Sequence, residues 1–228
     1  MARTPRSIAY FDVDGTLITR SSMWSFLGFC LIATTDSDAR RERVRRLAAL
    51  RSSHRPRAEE TSALFGHLAG APVADVTRLG HEWLRYELDR GGFLHRPGIE
   101  ALRAHQDAGH ATALVSGSFP AVLAPIAALL DVREVWCTSP EVSNGRYTGA
   151  LTAPPMVGER KAAAVRLTAT TNCADLANCT AYGDHVTDLP MLRTTGQAVV
   201  VGEDSTLTRV ARLQGWRRLP GVPGCTDS

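Results

Sequence analysis

Apolar residues fill positions 8–11 and return at Val13. That unbroken run predicts a strand over residues 7–14 buried on both faces of a parallel sheet. Between Ser21 and Leu94 the spacing becomes helical. It predicts helices over Ser22–Ala33, Asp38–Arg51, Pro56–Leu68 and Pro72–Asp89. Ser21 or Ser22 and Ser37 suit N-caps, and Pro56 and Pro72 suit helix starts. Gly91-Gly92 then marks a hinge. From Pro97 helix and strand alternate: helix Pro97–Ala108 with Gly109 as its stop, strand Ala111–Val115, helix Phe119–Leu130 and strand Val135–Thr138. A hairpin over Glu141–Leu151 turns at Asn144-Gly145. Helix Gly158–Thr168, strands Thr180–Tyr182 and Ala198–Val201, and helix Ser205–Leu213 follow, and the tail after Leu219 is expected to fray.

This pattern gives an α/β fold class, with a parallel sheet flanked by helices. An all-helical insert of about 70 residues interrupts it. The expected division is a core domain of residues 1–20 and 93–228 and a helical cap of residues 21–92.

The 228 residues have ordinary globular proportions, 44% hydrophobic and 21% charged, which excludes a disordered or fibrous chain. A formal charge of +3 is modest. Arg40, Arg41, Arg43, Arg45, Arg46 and Arg51 cluster on one predicted helix. They read as a solvated face more readily than as a contact for an anionic partner, and no nucleic-acid partner is expected. Five cysteines without CxxC or zinc spacing point to reduced thiols and a cytoplasmic setting. Met1–Ser7 has no secretory character, and the apolar stretch Met23–Ala33 falls short of the ~20 residues of a bilayer span, so no membrane partner is expected.

Two carboxylates, Asp12 and Asp14, stand where the first apolar run stops, followed by Gly15 and Thr16. Residues two apart on a strand point the same way, so both acids emerge together at its carboxyl end. Adjacent carboxylates repel unless a cation or a proton-transfer role compensates them. A strand followed by a plain Asp-Gly turn is the alternative. Among 26 basic residues Lys161 is the single lysine. A compact ammonium can slot between a carboxylate and a phosphoryl group where a guanidinium fork cannot. Asp12, Ser116 and Asp184 each follow a predicted strand and therefore converge at the carboxyl edge of the sheet.

Four motifs stand in order: Asp12-Val13-Asp14-Gly15-Thr16, Leu114-Val115-Ser116-Gly117-Ser118, Gly158-Glu159-Arg160-Lys161, and Ala181-Tyr182-Gly183-Asp184-His185-Val186-Thr187-Asp188. With them the chain resembles the haloacid dehalogenase (HAD) superfamily of phosphohydrolases over roughly residues 7–216. Its likeness is to subfamily IB, the branch of the phosphoserine phosphatases. The resemblance implies a Rossmann-like core. It implies Asp12 as the nucleophile that takes the phosphoryl group and Asp14 as the general acid, then the base for water. Ser116 and the Gly117 N–H would hold phosphoryl oxygens while Lys161 neutralises them. A Mg²⁺ ion would be held by the Asp12 and Asp184 side chains and the Asp14 main-chain carbonyl. Asp188 would orient Lys161 or a metal-bound water, or else cap a helix start. Thr16 would brace the loop, and Arg20 would reach a substrate phosphate or carboxylate, or else stay solvated. Metal binding by His185 is not expected. Trp24, Phe26, Phe29, Trp83 and Tyr86 read as cap core more readily than as a pocket lining.

Asp14 separates this chain from dehalogenases, which lack the second acid. Phosphoserine phosphatases of this family usually carry Glu where this chain has Ser21, and often Asn where it has Thr187. The implied activity is therefore Mg²⁺-dependent hydrolysis of another small phosphomonoester, by a monomer or homodimer. A phosphotransferase or mutase, and a non-catalytic phosphate-binding protein, are the alternatives.

Overall fold

The computed structural model describes residues 7–33, 37–53 and 55–222; Met1–Arg6, Cys225 and most of the tail expected to fray lie outside them. The chain opens with β1 (Ile8–Phe11) and runs into α1 (Ser22–Ala33), α2 (Ser37–Arg51), α3 (Arg57–Phe65) and α4 (Val73–Asp89). It continues through α5 (Arg96–Asp107), β2 (Ala111–Ser116), α6 (Pro120–Leu130), β3 (Glu134–Cys137), β4 (Pro140–Ser143) and β5 (Arg146–Leu151). The last part holds α7 (Glu159–Thr171), β6 (Thr180–Gly183), α8 (Leu189–Leu192), β7 (Gln197–Val201), α9 (Ser205–Gln214) and β8 (Arg217–Leu219).

Six strands form one parallel sheet in the order β3-β2-β1-β6-β7-β8. The chain builds outward from β1 to one side, then returns to build the other side. The carboxyl end of β1 is thus a topological switch point, where such sheets leave a crevice. Strand β8 is absent from the sequence-based expectation. Its Arg217-Arg218-Leu219 has no apolar run, because it is a short edge strand with one paired flank.

Side chains of β1 alternate between two apolar clusters. Ile8 and Tyr10 join Val115, Val165 and Met191 on one face. Ala9 and Phe11 join Leu114, Leu102 and Tyr182 on the other. Phe11 stacks on Tyr182 at 4.3 Å, and the Tyr182 hydroxyl lies 2.9 Å from His105 Nε2.

The helices α1–α4 lie between β1 and β2 in the chain but share the second of these clusters with the sheet. Phe119, at the head of α6, is the meeting point: Phe26, Phe65 and Tyr147 set their rings against it at 5.4–6.1 Å. Phe26 and Trp83 are wholly buried there, and Phe29 pairs with Tyr86. Helix α4 crosses α6 so closely that a Cβ on Gly80 would lie 1.9 Å from the Ala121 carbonyl oxygen. The two chain passages between insert and sheet run side by side, Thr19 N–H to Phe93 O at 2.8 Å and His95 N–H to Leu17 O at 2.9 Å. The β4–β5 hairpin turns at Asn144 (φ 50°) and Gly145 (φ 72°), as its sequence requires, and grips the insert through Gly70 N–H to Tyr147 O at 2.8 Å. No described helix is long and apolar enough to cross a membrane.

His105 gives a pH-dependent stability. Burial, then the neighbouring His110 and Arg217, lower its pKa to about 4. The unfolded chain takes up this proton near pH 6.5, so the contribution is intact above that value and is lost as pH falls towards 4. The melting temperature is expected to drop across that window, with a flatter profile in His105→Phe; parallel profiles would assign the acid loss to other groups.

Candidate active site

Past Phe11 the chain leaves β1 with the Asp12 N–H still bonded to Tyr182 O at 3.0 Å. It then folds back on itself, Leu17 and Ile18 N–H both reaching Val13 O. Gly15 turns this loop at φ 74°, and a Cβ there would lie 2.0 Å from Asp184 Oδ2. Only glycine meets both demands. Thr16 is buried beneath. His95 Nδ1 lies 2.9 Å from its carbonyl oxygen, which fixes the donor as Nδ1–H because a carbonyl can only accept.

Asp12 and Lys161 face each other across the crevice. The Lys161 ammonium, 4% exposed at the first turn of α7, donates to Asp12 Oδ1 at 2.5 Å and to Asp188 Oδ1 at 2.6 Å. Burial alone would favour neutral lysine, but these two carboxylates raise its pKa and hold it charged. Asp12 is pushed up to about 6, first by burial and then by Asp188 and Asp14, with Lys161 opposing. The other oxygen of Asp188 accepts from the N–H groups of Asp184 (3.2 Å) and His185 (3.3 Å). Gly183 makes room for that turn, since a Cβ would sit 2.6 Å from Asp188 Cβ. Asp188 therefore ties the fourth motif to Lys161. Carboxylate oxygens of Asp12, Asp184 and Asp188 lie within 4.8 Å of one another, an all-oxygen set that fits a hard divalent cation. Burial and its two acidic neighbours raise the Asp184 pKa well above the usual carboxylate range. A cation there would relieve that repulsion.

Asp14 sits at the mouth of α1, where its Oδ2 accepts from the Ser22 N–H at 3.0 Å. Its Oδ1 is buried with no hydrogen-bond partner among the described residues. Burial raises its pKa, opposed by Arg57 and Ser22. Ser116 ends β2, fully buried, with its Oγ accepting from Ser118 N–H at 3.2 Å. The Gly117 carbonyl is pinned by Thr138 Oγ1 at 2.7 Å. Asp12, Asp14, Ser116, Gly117, Lys161, Asp184 and Asp188 line one cavity of about 40 Å³, which continues onto Trp24, Arg57, Glu60 and Thr61 of the insert.

Arg20 stands apart from the expectation. It lies 40% exposed outside that cavity, 3.0 Å from the buried Glu87 carboxylate, which also accepts from Ser25. A buried carboxylate needs a cation, and Arg20 supplies it. His185 turns its Nδ1 to the Thr187 N–H and hydroxyl. Arg57 and Glu60, by contrast, reach the site without any signal in the sequence. Burial disfavours the Arg57 charge, yet Asp14, Asp12 and Asp184 raise its pKa, although much of the residue stays solvent-exposed at the rim.

A profile of the haloacid dehalogenase-like hydrolases matches residues 9–193. The chain belongs to that family. A probable phosphatase of Mycobacterium tuberculosis is 31% identical over 223 residues, covering 92% of this chain and 74% of that protein. A phosphoserine phosphatase of the same organism, SerB1, is 32% identical, covering 91% and 68%. The solved phospho-aspartyl intermediate analogue of phosphoserine phosphatase shares the fold with a TM-score of 0.64 at 15% identity, covering 90% of this chain and 91% of that one. The enzyme is thus a HAD-family phosphatase.

The buried charges give a stability prediction. Lys161→Met leaves Asp12 and Asp188 uncompensated and is expected to cost about 3–5 kcal/mol in urea unfolding without metal. A cost below about 1 kcal/mol would show that the carboxylates do not depend on the ammonium.

Proposed function

We propose that the enzyme hydrolyses a small phosphomonoester through an aspartyl-phosphate on Asp12. One observation carries this reading: Asp12 and Asp14 open into one cavity, with Asp12 held by an ammonium and Asp14 bearing an unpartnered buried oxygen. Asp12 Oδ2 is the attacking oxygen, because Lys161 occupies Oδ1. Asp14, its pKa raised, carries a proton on Oδ1 to the leaving alcohol and then takes one from the water that opens the aspartyl-phosphate. The Ser116 hydroxyl, the Gly117 N–H and Lys161 surround the phosphoryl oxygens. Asp12 and Asp184, two of the three clustered acids, would hold a Mg²⁺ ion together with the Asp14 carbonyl that the family resemblance implies; bound there it would neutralise phosphoryl charge as a Lewis acid. Asp188 is left out of that set because Lys161 and two N–H groups engage it.

The cavity of about 40 Å³ holds about three waters at roughly 10–15 Å³ each. That is the scale of a phosphoryl group with little beyond it. Residues 21–92 would act as a cap that shuts water out and opens for substrate. A cap closing over the site favours small metabolites over phosphopeptides. The departures at Ser21 and Thr187 argue for a substrate other than phosphoserine.

Phosphate release from a panel of phosphorylated metabolites tests this directly. Asp12→Asn is expected to abolish it, and Asp14→Asn to lower kcat by about 10²–10⁴-fold. Chelation with EDTA should silence wild type, and Mg²⁺ should restore it; full activity in EDTA would remove the metal from the scheme. Product analysis with an added sugar acceptor distinguishes hydrolysis from phosphoryl transfer, and free phosphate is expected in the acceptor's presence.

A further inference from the structure

The loop after β2 carries Ser116 and Gly117, and a side chain outside all four motifs holds it. Thr138 lies just past β3 and is 2% exposed. Its N–H donates to Ser118 O at 2.9 Å, and its hydroxyl donates to Gly117 O at 2.7 Å. The same hydroxyl oxygen accepts from Met156 N–H at 3.0 Å. One residue thus fixes two successive carbonyls of the loop and ties them to the segment that leads into α7 and Lys161.

The consequence reaches Ser116 through a single peptide plane. In a trans peptide the carbonyl and the N–H point to opposite sides. Anchoring Gly117 O on Thr138 therefore turns the Ser118 N–H the other way, where it donates to Ser116 Oγ at 3.2 Å. That bond occupies a lone pair of Ser116 and leaves its proton to donate. Among the described residues this proton has no acceptor, although Ser116 is 1% exposed and lines the catalytic cavity. A buried donor without an acceptor is unfavourable, and a phosphoryl oxygen would supply one. Glycine at 117 gives the anchor its purpose, because its backbone accepts a rotated peptide more readily than any other residue.

We infer that Thr138 is a positioning residue for phosphoryl binding: it sets the 117–118 peptide so that the Ser116 hydroxyl donates to a phosphoryl oxygen. This rests on the phosphatase reading above, and it adds no chemical step to hydrolysis.

The test measures binding without turnover, by calorimetric titration of the Mg²⁺-loaded full chain with tungstate, a tetrahedral oxyanion. Thr138→Val keeps the shape without the hydroxyl and is expected to weaken binding about tenfold. Thr138→Ser should bind close to wild type, and Thr138→Cys, a weaker donor, should fall between them. Ser116→Ala should weaken binding by itself. Adding Thr138→Val to it should then cost less than about twofold, since one hydroxyl carries both effects. A merely structural Thr138 would weaken binding equally in both backgrounds. No binding of tungstate by wild type, wild-type affinity in Thr138→Val, or an undiminished loss in the Ser116→Ala background would overturn the inference. Should Thr138→Val not fold, Thr138→Cys and Thr138→Ser carry the comparison, and equal affinities of those two would overturn it. Hydrolysis of p-nitrophenyl phosphate by wild type, lost in Asp12→Asn, reports separately on the phosphatase reading.

Discussion

The buried ammonium of Lys161 between Asp12 and Asp188 is the interaction on which the site depends. Carboxylate oxygens within 4.8 Å cannot all stay ionised in a desolvated crevice without compensation. One lysine compensates two of them. Asp188 passes the constraint on through the Asp184 and His185 N–H groups, which fixes the turn after β6. Gly15 and Gly183 then have no room for a side chain, because the loops from β1 and β6 close tightly around Asp184 and Asp188. Three segments far apart in sequence are locked together by one charge network.

The second constraint is the seating of the insert. It does not float over the sheet: its aromatic residues meet the sheet unit at Phe119, and Gly80 brings α4 against α6. The first turn of α1 also donates to Asp14 through Ser22. Burial raises the Asp14 pKa, and Arg57 and the Ser22 N–H at the start of that helix oppose the rise. Insert position and the proton affinity of Asp14 are therefore linked, so movement of α1 would alter the acid as well as access to it.

Much of this was legible in the sequence, for physical reasons. Buried parallel strands are continuous apolar runs, and the acids at their ends are fixed by the strand's last residue, so Asp12, Ser116 and Asp184 could be placed together. The Asn144-Gly145 turn was equally plain, since few residues accept its dihedral angles. Strand β8 was hidden because an edge strand of two arginines and a leucine lacks an apolar signature. Arg57 was hidden among 26 basic residues, one of them lysine, and Arg20 drew attention only by its nearness to the first motif. Which arginine enters a site is decided by the docking of α3 on the sheet, a long-range packing outcome. Glu60 and the indole of Trp24 meet for the same reason, across two helices with no local pattern to announce it.

Acid-quenched turnover followed by peptide mass spectrometry tests the central role of Asp12 most directly. A phosphoryl mass increment on the peptide carrying Asp12, absent from Asp12→Asn, is the expected result. Sustained phosphate release with that peptide unmodified, or with the increment on another residue, would contradict it.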